Sequence, residues 1–155
     1  MIKNRYPLIE EVFTPLTAPE LFELIKDKPY SFFLDSGMDP QRLGRYSFLG
    51  SDPFLAMSSR GSEINLIRGQ DHKIQHGNPF DTIGKLLEVY RLDHCPAPVP
   101  FVGGAVGYFG YDLCHFIERL PSTAVDDLRL PESCLAFYDT VAAFDHLENK
   151  AYLVA

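Results

Sequence analysis

Hydrophobic spacing marks two helices early in the chain. Leu21, Phe22, Leu24 and Ile25 form one apolar stripe at helical period. Thr17 stands where an N-cap belongs, Glu20 three residues later completes a capping box, and Pro19 lies in the first turn where its missing N–H costs nothing. Lys28-Pro29 ends this helix. A second helix is predicted from Asn78 as cap and Pro79 in the first turn, with Phe80, Ile83, Leu86, Leu87 and Tyr90 on one face and Asp93 closing it. Residues 113–120, stopped by Pro121, read as a third.

Between and after the helices the pattern changes to short apolar and aromatic runs, which predict strands. These are residues 30–34, 45–50, 54–58 and 63–68, the last two forming a hairpin around Arg60-Gly61-Ser62. Asp52-Pro53 and Gly69-Gln70-Asp71 read as turns. Residues 134–145 form one long apolar run, and 150–155 pair back onto it across His146-Leu147-Glu148-Asn149. The stretch Cys95-Pro96-Ala97-Pro98-Val99-Pro100 suits neither a helix nor a central strand and reads as a stiff connector. Many strands with two or three helices set apart predict an α+β fold on mainly antiparallel sheet. The apolar ending Ala151-Tyr152-Leu153-Val154-Ala155 suggests a chain cut from something longer, with a C-terminal edge strand as the other reading.

Composition narrows the class. The chain has 155 residues, 46% hydrophobic and 23% charged, which suits one globular domain and excludes wholesale disorder. Fourteen basic against 21 acidic residues give a net charge of −7, which demotes nucleic acid and anionic membrane as partners. The apolar runs fall far short of a membrane span, and Met1-Ile2-Lys3-Asn4-Arg5-Tyr6-Pro7 lacks an apolar signal core. Three cysteines, Cys95, Cys114 and Cys134, do not pair off evenly and read as free thiols in a reducing cytoplasm.

Several candidate chemistries fail on spacing. Gly104, Gly107 and Gly110 recur every third residue, but the dinucleotide fingerprint breaks at Ala105 and no P-loop lysine follows. These glycines read instead as a kinked strand or a close backbone approach. His94-Cys95 and Cys114-His115 lack zinc-ligand spacing. Glu10-Glu11 and Asp126-Asp127 read as solvated charge rather than an acid–base pair. Leu34-Asp35-Ser36-Gly37 followed by Gly44-Arg45-Tyr46-Ser47 is more informative. It sets hydroxyl, carboxylate, guanidinium and phenol around one strand–loop–strand turn, which suits a small zwitterion. Turn residues with a surface ion pair are the competing reading.

Taken together, Phe33-Leu34-Asp35-Ser36-Gly37, Gly44-Arg45-Tyr46-Ser47-Phe48-Leu49-Gly50-Ser51-Asp52-Pro53, Gly103-Gly104-Ala105-Val106-Gly107-Tyr108-Phe109-Gly110-Tyr111-Asp112 and Glu118-Arg119-Leu120-Pro121 resemble the N-terminal region of component I of the chorismate-utilising synthases, from about residue 6 to the end. That family includes aminodeoxychorismate synthase, or para-aminobenzoate synthase, and anthranilate synthase. The short loop between Ser36 and Arg45 looks more like the former, while Arg45-Tyr46-Ser47-Phe48 is shared with the latter. The resemblance implies that residues 1–155 form an N-terminal domain without the C-terminal chorismate-binding half. That half would carry the chorismate site, the Mg²⁺-binding glutamates and the acid–base residues, so no catalytic or metal-ligating residue is expected here. A glutamine amidotransferase, component II, would supply ammonia. Carried over by resemblance, a tryptophan-type effector pocket falls at Ser36, Leu43, Gly44, Arg45 and Tyr46 with Asp35 beside it. Asp35 stands where anthranilate synthases usually have Glu, which argues against strong tryptophan inhibition. A sheet face left bare by a missing half is also expected to favour a homodimer. A free-standing small-molecule-binding domain without catalysis is the reading from another functional class.

Overall fold

The computed structural model describes residues 5–36, 39, 43–93, 96–121 and 125–155. Its strands and helices divide between two compact units. The first comprises Met1–Pro53, Tyr90–Gly104 and Phe137–Ala155, and the second Phe54–Val89 and Ala105–Ala136.

The first unit is built on β1 (Ile9–Val12), α1 (Ala18–Glu23), β2 (Phe32–Leu34), β3 (Tyr46–Gly50), β9 (Val141–Asp145) and β10 (Lys150–Val154), numbered in chain order. Its sheet runs β1-β10-β9-β3-β2 with antiparallel pairing throughout. Alternation along the strands gives the sheet two apolar faces. On one, Leu49, Phe144 and Ala151 pack with Ala18, Leu21, Phe22 and Ile25 of the α1 region. On the other, Ala143, Tyr152 and Val154 pack beneath Val99 and Val102 of the proline-rich connector. The connector therefore acts as a cover. Val99 is only 3% exposed, and Phe101 meets Phe48 edge-on with centroids 5.6 Å apart.

The α1 cap forms as the spacing predicts. Glu20 N–H donates to Thr17 Oγ1 at 3.4 Å, and Thr17 N–H donates to the Glu20 carboxylate at 2.8 Å. The following strand starts later than predicted. Tyr30 has φ 51°, a left-handed conformation no strand residue adopts, so β2 opens at Phe32. β1 was not visible as a strand, because only Ile9 and Val12 are apolar; they serve opposite sheet faces while Glu10 and Glu11 are exposed.

The second unit contains β4 (Leu55–Arg60), β5 (Glu63–Arg68), β6 (Asp71–His76), α2 (Pro79–Val89), β7 (Gly104–Phe109) and most of β8 (Ser133–Tyr138). Its sheet order is β6-β5-β4-β8-β7. The β4–β5 hairpin matches the sequence expectation, whereas the turn expected at Gly69-Gln70-Asp71 leads straight into β6, a strand the sequence pattern does not predict. β6 is a polar edge strand held by its ladder to β5, so it carries no apolar alternation. Asn78 caps α2, its Oδ1 accepting from Phe80 N–H at 2.9 Å.

Two further expectations are corrected. The long strand over 134–145 is interrupted at Asp139-Thr140, and its halves, β8 and β9, join different sheets. Both halves are almost wholly buried, so the apolar run gives no hint of the break. The third helix is a 3₁₀ segment over Tyr111–Phe116, earlier and shorter than 113–120. Its N-cap is Gly110, which offers no capping side chain. The glycine reading holds at Gly107, where an added Cβ would overlap the Cys134 backbone carbonyl on β8. Among the described residues, no helix is long and apolar enough to cross a membrane. The mainly antiparallel α+β architecture is as expected.

Candidate functional site

The candidate residues lie where β2 ends and β3 begins, at one margin of the first unit's sheet. β2 and β3 pair antiparallel, Leu34 opposite Phe48, so Asp35 and Ser36 leave β2 beside the segment that enters β3. Gly44 is required there. A Cβ at this position would overlap the Ser36 carbonyl oxygen, so Gly44 lets the two limbs of the loop meet backbone to backbone. Leu43 is 93% exposed and joins no core. Gly37, Met38, Pro40, Gln41 and Arg42 of the same loop lie outside the described residues.

Arg45 has a partner that sequence reasoning did not find. Its Nε donates to Asp145 Oδ1 at 3.0 Å and its Nη2 to Asp145 Oδ2 at 2.7 Å, a two-pronged grip across 100 positions of sequence. Asp145 is 2% exposed and also accepts from the N–H groups of Leu147 and Glu148 at 3.0 and 3.2 Å. The Arg45 hydrogen bond, helped by those two N–H groups, holds the Asp145 carboxyl below the ordinary carboxylate range against the opposing effect of burial. Arg45 is correspondingly raised by its bond to Asp145. The guanidinium also lies 5.0 Å from the centroid of the Tyr46 ring, which stacks on Phe48. Arg45 and Tyr46 thus build the margin of the sheet. The Arg45 fork is committed to Asp145.

Asp35 belongs to a second polar cluster. Ser47 Oγ lies 2.6 Å from Asp35 Oδ1 and 2.6 Å from His146 Nε2. Ser47 is fully buried, so its hydroxyl is no accessible nucleophile. His146 is placed by its own N–H, which donates to the Arg45 carbonyl at 2.8 Å. The structure therefore brings Asp35, Ser36, Gly44, Arg45 and Tyr46 to one sheet margin and adds Ser47, Asp145 and His146. The available signal for the additions was an aspartate closing an otherwise apolar strand, followed at once by a histidine in a hairpin turn.

Asp145 and His146 also line a groove of about 700 Å³ with Phe13, Asn149, Lys150 and Glu11. Its lining includes none of the six candidate residues. Glu11 pairs with Lys150 at 3.1 Å. Asp126 accepts from Arg60 and from Arg129 N–H, so it serves its own loop. Cys114 and Cys134 are free thiols, and burial pushes the Cys134 thiol up; His94 and Cys95 lie outside the described residues. Among the described residues, no three His, Cys, Asp or Glu side chains stand close enough together to hold a metal ion.

Comparison with known proteins gives this margin its context. No family model matches the chain. Anthranilate synthase component 1 of Acetivibrio thermocellus is 34% identical over 153 residues, covering 97% of this chain and 31% of the relative. The protein of the same name from Neisseria meningitidis serogroup C is 32% identical over 158 residues, 97% of this chain and 32% of the relative. Aminodeoxychorismate synthase component 1 of Salmonella typhimurium is 29% identical over 157 residues, all of this chain and 35% of the relative. The chain thus spans about a third of the length of the curated relatives it matches. Among solved structures, anthranilate synthase component I from Streptococcus pneumoniae superposes with a TM-score of 0.58 at 22% identity, over 86% of this chain and 28% of that one, and so shares the fold. Over nearly its whole length, this chain is similar to about a third of component 1 of anthranilate synthases and of an aminodeoxychorismate synthase.

Proposed function

We propose that the chain is the N-terminal, non-catalytic portion of component I of an aminodeoxychorismate synthase and carries a niche for an amino-acid effector. The whole protein would replace the hydroxyl of chorismate with ammonia from a glutamine amidotransferase partner, giving 4-amino-4-deoxychorismate. Chorismate, Mg²⁺ and the reacting groups belong in this reading to a C-terminal half, and the 155 residues alone turn over nothing.

The choice of member rests on the short loop between Ser36 and Arg45, and one observation supports the effector niche: the carboxylate at the end of β2 is the short Asp35, held by buried Ser47 at 2.6 Å. An exposed carboxylate next to the exposed Ser36, at a turn that Gly44 lets close backbone to backbone, sets polar groups of the kind an amino-acid ligand uses at the end of β2. Arg45, gripped by Asp145, borders the niche as part of its frame. A reach shorter than glutamate's supports weak rather than strong feedback by tryptophan.

The second reading, anthranilate synthase, is favoured by identity: 34% and 32% to two anthranilate synthases against 29% to an aminodeoxychorismate synthase. Supplying the full-length protein with chorismate, ammonia and Mg²⁺ and identifying the product separates them. Aminodeoxychorismate, converted to para-aminobenzoate by added lyase, is the expected product. Fluorescent anthranilate supports the second reading, and neither product sinks both in favour of a binding domain.

A further inference from the structure

An edge strand leaves one row of backbone N–H and C=O groups without a strand partner, and β6 is such an edge. The tight Gly69-Gln70 turn joins it to β5, which makes Arg68 and Asp71 a hydrogen-bonded pair. At the other end Gly77 N–H donates to the Ser62 carbonyl at 2.9 Å, in the same phase. Antiparallel pairing alternates, so Asp71, Lys73 and Gln75 give their backbone groups to β5. His72, Ile74 and His76 point theirs outward. The side chains of these three residues share one face of the sheet. Ile74 stands in the middle and is 54% exposed. Helix α2 lies on the opposite face, where Gln75 Nε2 donates to Thr82 Oγ1 at 3.2 Å.

This edge is complementary to itself. Residues opposite each other across an antiparallel pair lie on the same face. A two-fold axis at Ile74 sets Ile74 against its own copy and His72 against His76 of the second copy. Every outward-facing residue then meets another, and each pair exchanges both backbone bonds. Lys73 faces Gln75 of the second copy and Asp71 faces its Gly77, so no carboxylate meets a carboxylate and no lysine a lysine. The first unit's β1 shows the contrast. Leu8 and Ala155 exchange bonds at 2.6 and 2.9 Å, which leaves the backbone groups of Ile9 and Glu11 pointing outward. Either register that overlaps most of β1 with its own copy sets Glu10 on Glu10 or Glu11 on Glu11. Exposed glutamates thus guard β1 against self-pairing, and β6 carries no such guard.

We propose that β6 is a self-association edge: two copies of the chain join antiparallel about Ile74 and merge two sheets into one. The interface is independent of the effector niche. One strand pair buries little area, so the dimer is weak and follows concentration.

The full chain tests this at about pH 8, above the range in which imidazole takes up a proton. Sedimentation velocity between micromolar and millimolar protein reads the association, and amide hydrogen exchange reads its place. The average mass should climb toward that of a dimer. The amides of His72, Ile74 and His76 should exchange more slowly as concentration rises, while those of Ile9 and Glu11 stay unchanged. Ile74→Lys sets two cations opposite each other at the axis and should weaken the dimer roughly tenfold or more. Ile74→Pro removes the central N–H of each copy, which the β5 ladder does not use, and should also abolish association. Ile67→Lys lies on the same face but on β5, and should associate like the unsubstituted chain. A chain that stays monomeric at millimolar concentration overturns the proposal. So does a dimer whose slowed amides lie elsewhere, one that Ile74→Lys leaves intact, or one that Ile67→Lys weakens equally.

Discussion

Arg45 and Asp145 close one end of the β3–β9 ladder, with guanidinium and carboxylate joined at 3.0 and 2.7 Å and with Asp145 directly opposite Tyr46 in register. The pair does two jobs at once. It satisfies a buried carboxylate, and it fixes the turn that carries His146 next to Ser47.

That arrangement has a pH signature. The Asp145 pKa in the folded protein lies below the ordinary 3.8, chiefly because of its hydrogen bond to Arg45. A depressed carboxylate contributes stability that is fully present above the unfolded value and is lost as pH falls through the folded one. Thermal melts from neutral pH to about pH 3 should show Asp145→Asn several degrees below the unsubstituted chain at pH 7. The gap should narrow steadily on acidification beneath the ordinary carboxylate value. A gap that is constant with pH would show that the ionised pair contributes nothing to folding.

Glycines divide into two kinds that substitution should separate. At Gly107 an added Cβ meets the backbone of Cys134 on the neighbouring strand. Gly107→Ala should therefore cost about 3 kcal/mol, in the overpacking range. Gly84 lies in α2 with nothing within 4 Å of an added Cβ, and Gly84→Ala should stabilise by about 0.5–1 kcal/mol through lost freedom of the unfolded chain. Urea unfolding of both variants reads the difference, and equal effects would refute the close approach at Gly107.

The α1 cap gives a smaller, local effect. Thr17→Ala removes the acceptor for Glu20 N–H and should cost about 1 kcal/mol in urea unfolding. Thr17→Asp, which keeps a side-chain oxygen at the cap, should lose little. Equal losses in the two variants would mean that the cap is not what holds this turn.

The sequence made local features readable and hid the distant ones. Thr17 and Glu20 are three residues apart, and both halves of their capping box follow from spacing. Gly44 and Arg45 stood out because a glycine beside a charged residue between two apolar runs has a backbone reason to be there. Asp145 could not be paired with Arg45 from sequence, since the bond joins strands 100 positions apart that become neighbours only when the sheet forms. β6 escaped because an edge strand held by backbone bonds needs no apolar face, and the run through β8 and β9 looked continuous because both strands are buried on both sides. At the candidate site, glycine and turn chemistry located the loop. Only the fold revealed that Arg45 is engaged and that a serine and a histidine stand behind Asp35.

The amino-acid niche at the β2–β3 margin is tested most directly by titrating tryptophan into the ¹⁵N-labelled chain and ranking amide shifts by residue. Ser36, Gly44 and Arg45 should move first and furthest, with millimolar affinity or weaker. Stationary signals at these three positions, whatever happens elsewhere in the spectrum, would contradict it.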